Sequence, residues 1–353
     1  MSGSPRSSRG LALVTVLWVL VLLSLMAASF TAATRTDINL TRNLIENAQA
    51  ESLAEAGLAR AILGLLADRY NIDFGDEVER LVAEPPGVGG VLEALPEDQA
   101  TAAGPDAGEP FPDFGAGGAW RADGTVYAWT YGGGAIRVAV HSEAGKIDLN
   151  AADDSLLRSL LLSATWIGPD GEPEGIDEDG AGALTDAIRD FADPDDLTRL
   201  NGAEDEDYAA AGLPWDAKDA PFEAVAELQQ VLGMTAPLYA AVAPALTVYT
   251  GAVSADARLA SREVLLALPG GAAAGVVDDY LLLRAEAAPG AAPAFPGAAG
   301  RNPGGRARIY TIHAEARLAS GAVFAREAVV RLTGGPQSYQ IEAWRQGTRQ
   351  LFP

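Results

Sequence analysis

The sequence predicts an α+β protein: a long N-terminal helix packed on an antiparallel sheet, with a large all-α domain inserted into that sheet. Three observations predict it. From Leu11 to Tyr70 a helical pattern runs without a proline. Strand-like alternation appears in two widely separated places, near residues 119–142 and again from Ala307 to Gly347. Between them, from Leu149 onward, the apolar period changes to that of helices and acidic residues accumulate.

The first element divides in two. Residues 1–10 are polar, with Arg6 and Arg9, and end on Gly10. Leu11 opens a run without charge that lasts to Thr34 and stops at Arg35. A helix needs about 20 apolar residues to cross a bilayer. Positive charge before such a run keeps the start of the chain cytoplasmic, and the bulk of the protein then faces the periplasm. Three readings compete. Small residues at Ala27–Ser29 and Thr31–Ala33 allow a cleaved secretory signal. An uncleaved signal anchor is the second. The third is a short leader cut between Gly10 and Leu11, and the direct junction of Arg9-Gly10 with the apolar run fits it best. Residues 11–34 are then the membrane part of the helix and 35–70 its amphipathic continuation. Leu40, Leu44, Ala48, Ser52 and Ala56 recur every fourth residue, and Ile45, Leu53, Ile62, Leu63 and Leu66 widen the stripe.

Residues 71–148 hold a Pro/Gly/Ala-rich loop and the first strands. WRADGTVYAWTY and AIRVAVHSE alternate, and Gly132–Gly134 between them signal a hairpin. Residues 149–245 form the inserted acidic helical domain. Asn150 is the expected N-cap of AADDSLLRSLLL, and further helices are expected at about 182–191, 222–232 and 238–243. ASREVLLALPG repeats the spacing of Ala152, Leu156 and Leu160 and looks like a helix-hairpin module. Residues 246–353 complete the helical return and the last strands. Two alternating runs there are joined by Ala319-Ser320-Gly321, and QSYQIEAWRQG forms a final short strand.

Composition narrows the function. Hydrophobic residues make up 48% of the 353, enough for a packed core. The net charge is −23, from 48 acidic and 25 basic residues. Such a balance repels nucleic acid, whose binding needs clustered Lys and Arg, and it favours basic partners or hard cations. There is no cysteine, which excludes disulfides and thiolate metal sites. The two histidines, His141 and His313, both fall in strand-like stretches and read as ordinary strand residues. No G-x-S-x-G, H-E-x-x-H or Walker A motif occurs. A carboxylate pair of the glycosidase kind leaves a membrane-anchored periplasmic calcium-binding enzyme as an alternative.

Two acidic stretches stand out. PDGEPEGIDEDG begins like an EF-hand loop, but its twelfth position is Ala181, where a bidentate Glu is required. The second stretch carries Asp190, Asp193, Asp195, Asp196, Glu204, Asp205 and Asp207. Carboxylates this close repel one another unless a cation or hydrogen bonds offset them. Composition by itself favours a solvated acidic surface.

RGLALVTVLWVLVLLSLMAASF resembles the processing region of the K-type minor pseudopilins of the type II secretion system. Most pilins carry a glutamate five residues after the cut; here that position is Thr15, and the K type resembles this sequence in lacking it. A carboxylate in the bilayer is costly unless paired, and a subunit capping a filament has no neighbour above it to supply the partner amine. GKIDLNAADDSLLRSLL, AIRDFADPDDLTRLNGAEDEDY, PFEAVAELQQVLGM and LTVYT also resemble that family, with Phe191 where a tryptophan is usual. The resemblance implies a pseudopilin fold, cleavage by a prepilin peptidase at Gly10, methylation of the Leu11 amine, and an inner-membrane anchor. It implies a place at the pseudopilus tip with the I-type and J-type minor pseudopilins. Contacts with the major pseudopilin and the inner-membrane assembly platform follow, with no nucleic acid. It also implies calcium in the helical domain, with Asp193, Asp195, Glu204 and Asp207 as ligands and Asp196 as an alternate. A DNA-uptake pseudopilin is the remaining alternative.

Overall fold

The computed structural model describes residues 9–70, 120–270, 272–287, 291–296, 308–334 and 337–347, with the side chains of 9–14, 28, 31–39, 68 and 70 outside that description. Residues 1–8 of the expected leader and the Pro/Gly/Ala-rich loop expected before the first strands lie outside the described residues. So do the side chains of Gly10 and Leu11, whose backbone is helical.

Helix α1 runs Arg9–Tyr70 without a break. At 1.5 Å per residue it is about 90 Å long, far longer than the sheet it meets. Among the described residues no helix is long and apolar enough to cross a membrane. The described side chains of the apolar run, 15–27, 29 and 30, are all exposed.

Five antiparallel strands form the main sheet, in the order β1 (Asp123–Tyr131), β2 (Gly134–Ser142), β7 (Ile309–Leu318), β8 (Val323–Leu332) and β9 (Tyr339–Gln346). Gly132 and Gly133, at φ 57° and 75°, supply the turn between β1 and β2. Positive φ at both central residues gives the twist that a two-residue hairpin requires. Gly321, at φ 92°, does the same service in the expected turn between β7 and β8.

One face of this sheet carries α1. Ile136, Val138, Ile312, Ala314, Ala328 and Val330 pack against Ala50, Leu53, Ala54, Leu58, Ala61, Ile62 and Leu65 in one buried cluster. The helix comes very close here: a Cβ on Gly57 would lie 2.8 Å from Cγ2 of Ile136. Arg326 of β8 closes the side of the contact. It pairs with Glu51 and, at 2.9 Å, with Glu55, and stacks under Trp344.

The stripe expected on α1 is corrected here. Leu40, Leu44, Ile45 and Leu63 are exposed, and so are Ala48, Ser52 and Ala56. A strict four-residue repeat drifts about 40° per step around a helix of 3.6 residues per turn. The buried face uses mixed three- and four-residue steps and small residues. The sheet also ends near residue 49, where the Gln49 amide donates to Gly132 O at the β1–β2 turn.

The chain leaves the sheet after Ser142 and returns beside it, since Ser142 pairs with Tyr310. In between lies a second buried cluster that spans Ile147 to Phe295. It is built from α2 (Asp154–Ser163), α3 (Glu178–Asp190), α4 (Asp205–Ala210), α5 (Ala236–Val242), α6 (Arg262–Ala267) and α7 (Ala274–Glu286). A hairpin of β4 (Trp166–Ile167) and β5 (Pro173–Glu174) lies between α2 and α3. The parallel pair β3 (Ile147–Asp148) and β6 (Leu246–Thr247) ties its start to its middle. The Asp148 carboxylate, fully buried, accepts from the backbone N–H of Asn150, Thr250 and Gly251 and from the Thr250 hydroxyl.

Three expectations change in this region. Asp153 caps α2, its carboxylate accepting from Leu156 N–H at 2.9 Å. Asn150 instead exchanges two hydrogen bonds with the Phe222 backbone, 72 residues away. The segment expected as a helix at 222–232 is a 3-10 turn, Val225–Gln230. The helical core does not stop at 245, because Val264, Leu265, Val277 and Tyr280 belong to it. Helix α7 was not foreseen: it buries only Val277 and Tyr280 while Leu282 and Leu283 face out, so its sequence shows no single apolar stripe.

Candidate functional site

Helix α3 buries Ala181, Leu184, Ala187 and Ile188, and this periodicity carries Asp190 inward at the helix end. Asp190 is 0% exposed. Its Oδ2 accepts from Arg199 N–H at 3.0 Å, while Oδ1 is buried with no hydrogen-bond partner. The Arg199 guanidinium stands 3.6 Å from Oδ1, and is shared with Asp154 at 2.9 Å and Asp186 at 3.9 Å. Backbone passes close overhead: a Cβ on Gly202 would lie 1.8 Å from Asp190 Oδ2, so only glycine fits.

Glu204 stands at the N-cap of α4 and is 6% exposed. Its Oε1 is the second buried carboxylate oxygen without a donor. Phe191, Tyr208 and Phe222 wall this end of the site. The Phe191 ring centroid is 6.2 Å from that of Tyr208 and 5.4 Å from that of Phe222. The Tyr208 hydroxyl accepts from Leu232 N–H.

Electrostatics follow from this burial. Desolvation, then the charges of Asp190, Asp193, Asp219 and Asp196, raises the Glu204 pKa from 4.5 to about 7. Burial, with Asp193 adding to it, also raises Asp190. Asp219 is pushed up by desolvation and by Asp205, Asp196, Asp193 and Asp216. It holds a left-handed φ of 54°, and its N–H donates to Phe191 O.

The predicted residues divide accordingly. Asp193, Asp196 and Glu204 share one field of negative charge. Asp195 is turned to its own loop, where Oδ1 accepts from Leu197 N–H. Asp207 accepts from Glu204 N–H at 3.1 Å and so closes the helix cap. Buried Asp190 belongs to the same field, and exposed Asp219 adds its charge from outside. Asp190 stood in the acidic stretch but outside the expected ligand set; its signal was its place on the apolar phase of α3. Asp219 carried no signal, because only the return of 218–219 to Phe191 O brings it in.

A hard cation suits the donors, which are all carboxylate oxygens, two of them buried without a hydrogen bond. The spacing is looser: among the described residues no three His, Asp or Glu side chains are grouped closely enough to hold a metal ion. The donor chemistry fits calcium, but a closed cage is not preformed.

Residues 172–251, which contain this whole cluster, match the family model described as type II secretion system (T2SS), protein K. Among curated proteins, type II secretion system protein K of Klebsiella pneumoniae is 38% identical over 110 residues, 30% of this chain and 34% of that one. The protein of the same name from Pectobacterium carotovorum subsp. carotovorum is 35% identical over 83 residues, 24% of each. The aligned chain thus spans about a third or less of these relatives. A solved structure of the GspK-GspI-GspJ complex from the enterotoxigenic Escherichia coli type 2 secretion system covers 64% of this chain and 84% of its own. At 15% identity and a TM-score of 0.43 it carries no argument for fold or partners.

Proposed function

We propose, from the match of residues 172–251 to the family model of type II secretion system protein K, that the chain is a minor pseudopilin of this system. In this reading it has the pseudopilin arrangement, anchored in the inner membrane by the apolar part of α1, with the sheet and helical unit in the periplasm. Prepilin peptidase cuts after Gly10 and the Leu11 amine is methylated. The subunit joins or caps the pseudopilus tip with the I-type and J-type minor pseudopilins, above the major pseudopilin and the assembly platform. It serves the secretion of folded periplasmic proteins and has no enzymatic role. The observation that carries this reading is the coincidence of the family match with the acidic helical unit, set between paired strands that also hold a long helix.

Calcium belongs to the same proposal. Asp190, Asp193 and Glu204 would hold it, with Asp196 within reach and backbone or water oxygens completing six to eight ligands. When bound, it offsets the crowding of carboxylates that raises Glu204. Asp195 and Asp207, implied as ligands by the resemblance, accept backbone hydrogen bonds at 3.1 Å, as Asp193 Oδ1 does more weakly at 3.5 Å, and would use their remaining oxygens or turn.

Coexpression with a prepilin peptidase tests the assembly role. The purified N-terminus should begin at a methylated Leu11, and the protein should copurify with I-type and J-type subunits. An intact Met1, or a cut near Ala33, rejects it. Calorimetric titration of calcium against magnesium tests the metal. Wild type should prefer calcium, and Glu204→Gln should weaken it at least tenfold; unchanged affinity removes Glu204 from the site.

A further inference from the structure

On the sheet face opposite α1, His141 of β2 and His313 of β7 meet edge-to-face, ring centroids 5.5 Å apart. They are the only two histidines in the chain. The His141 ring lies against the backbone of β1, where a Cβ on Gly124 would fall 2.4 Å from Cε1.

The pair sits beside the joint between sheet and helical unit. Immediately after β2, Glu143 is buried, and its Oε1 accepts from Lys146 Nζ and from the Thr311 hydroxyl, both at 2.6 Å. Asp256 N–H donates to Ala144 O at 2.7 Å. Tyr249 of the helical unit accepts from Arg331 and Arg345 of the sheet.

Among the described residues, the other charges on this face of the sheet have partners of opposite sign. Asp123 of β1 pairs with Arg121 at 3.1 Å, Glu143 with Lys146 at 2.6 Å, and Glu327 of β8 with Arg345 of β9 at 3.5 Å. Buried Glu315 of β7 stands 3.7 Å from Arg317 and 4.0 Å from Arg137 of β2. Two neutral imidazoles leave this count balanced. Two imidazolium ions add charge with no free anion to meet it, beside Lys146 and Arg345. Glu327 Oε2 lies 3.3 Å from His313 Nδ1 and is committed to Arg345 through Oε1.

We propose that His141 and His313 form an acid-sensitive latch: protonating the rings loosens the helical unit from the sheet at residues 143–146 while both cores stay folded. The direction of titration agrees. Burial, then the neighbouring ring and Lys146, lowers His141 to about 4 against the pull of Glu143 and Asp123. Burial, then Lys146 and Arg345, opposed by Glu143, lowers His313 to about 4. Each ring is thus held neutral in the folded chain below its ordinary value of 6.5. Its contribution to the joint is complete above that value and is lost as pH falls from there toward 4. This latch does not depend on the assembly role or on calcium.

The test uses the full chain in detergent micelles. Because it has no cysteine, spin labels at Ser320→Cys and Gln229→Cys report one sheet-to-helical-unit distance. From about pH 7 to pH 4 the wild-type distance distribution should broaden, with far-ultraviolet dichroism unchanged. In the double variant His141→Gln, His313→Gln it should not. Broadening in both proteins, no broadening in wild type, or loss of dichroism together with the distance overturns the proposal. Imidazole NMR of the unsubstituted chain is the second measurement: two resonances titrating well below 6.5 are expected, and titration at the ordinary histidine value overturns it.

Discussion

Glu204 is the residue in which burial and like charge act together most strongly. Its folded-state pKa of about 7 lies above the ordinary 4.5, so the folded chain keeps this proton longer than the unfolded one. The contribution is full below 4.5 and is lost as pH rises through 7. Metal-free Glu204→Gln, which cannot ionise, should therefore melt about 2–4 °C above wild type near neutral pH. The two should melt together at the acid end of that window, and thermal denaturation across it checks both statements. Gly202 answers a steric demand at the same place. Gly202→Ala pushes a methyl into the Asp190 carboxylate and should cost about 1–3 kcal/mol in urea denaturation. The analogous Gly212→Ala meets open space, yet it too carries strain from a φ of 73°. It should cost less, about 1 kcal/mol.

At the scale of elements, contact between α1 and the sheet depends on small side chains. Gly57→Val should destabilise by about 1–3 kcal/mol through overpacking against Ile136 and Val138. Ala48→Val, on the exposed side, should change stability by less than about 0.5 kcal/mol. In the helical unit the β3–β6 tie rests on Asp148. Asp148→Ala leaves three backbone N–H groups and a hydroxyl without their acceptor. It should cost at least about 3 kcal/mol, measured by the same unfolding experiment. The same reasoning explains which elements the pattern foretold. Strands β7 and β8 alternate cleanly because only one of their faces meets α1, and the turn at Ala319-Ser320-Gly321 is local chemistry. Asn150 departs from the expected capping role because a good capping residue has other uses. Asp153, three residues on, offers the same chemistry, and long-range pairing with Phe222 decides between them.

Across the whole molecule, a net charge of −23 sets a repulsive background that the two cores must overcome. Screening shortens the reach of that repulsion to about 8–10 Å at ordinary ionic strength. The metal-free chain should therefore melt higher in moderate sodium chloride than in low-salt buffer. Calcium at equal ionic strength should raise the transition further if the acidic cluster holds it. A calorimetric scan in the three conditions separates general screening from site binding. The two cores are joined by a few polar ties. Arg121 donates to Arg284 O and Ala287 O, Arg331 and Arg345 reach Tyr249, and Glu143 links Lys146 to Thr311.

By itself the sequence determined the long unbroken helix, the two sets of strands, the helical stretch between them and the concentration of acid in that stretch. These are properties of local period and composition, and neighbours in the chain are enough to express them. Tertiary structure alone decided which face of α1 is buried, that the helical core continues to Phe295, and that Asp190 and Glu204 are buried in one field of negative charge while Asp195 and Asp207 accept local backbone hydrogen bonds. Each of these depends on distances between residues far apart in the chain. A carboxylate's neighbours, its desolvation and its spare hydrogen-bonding capacity exist only once those distances are set.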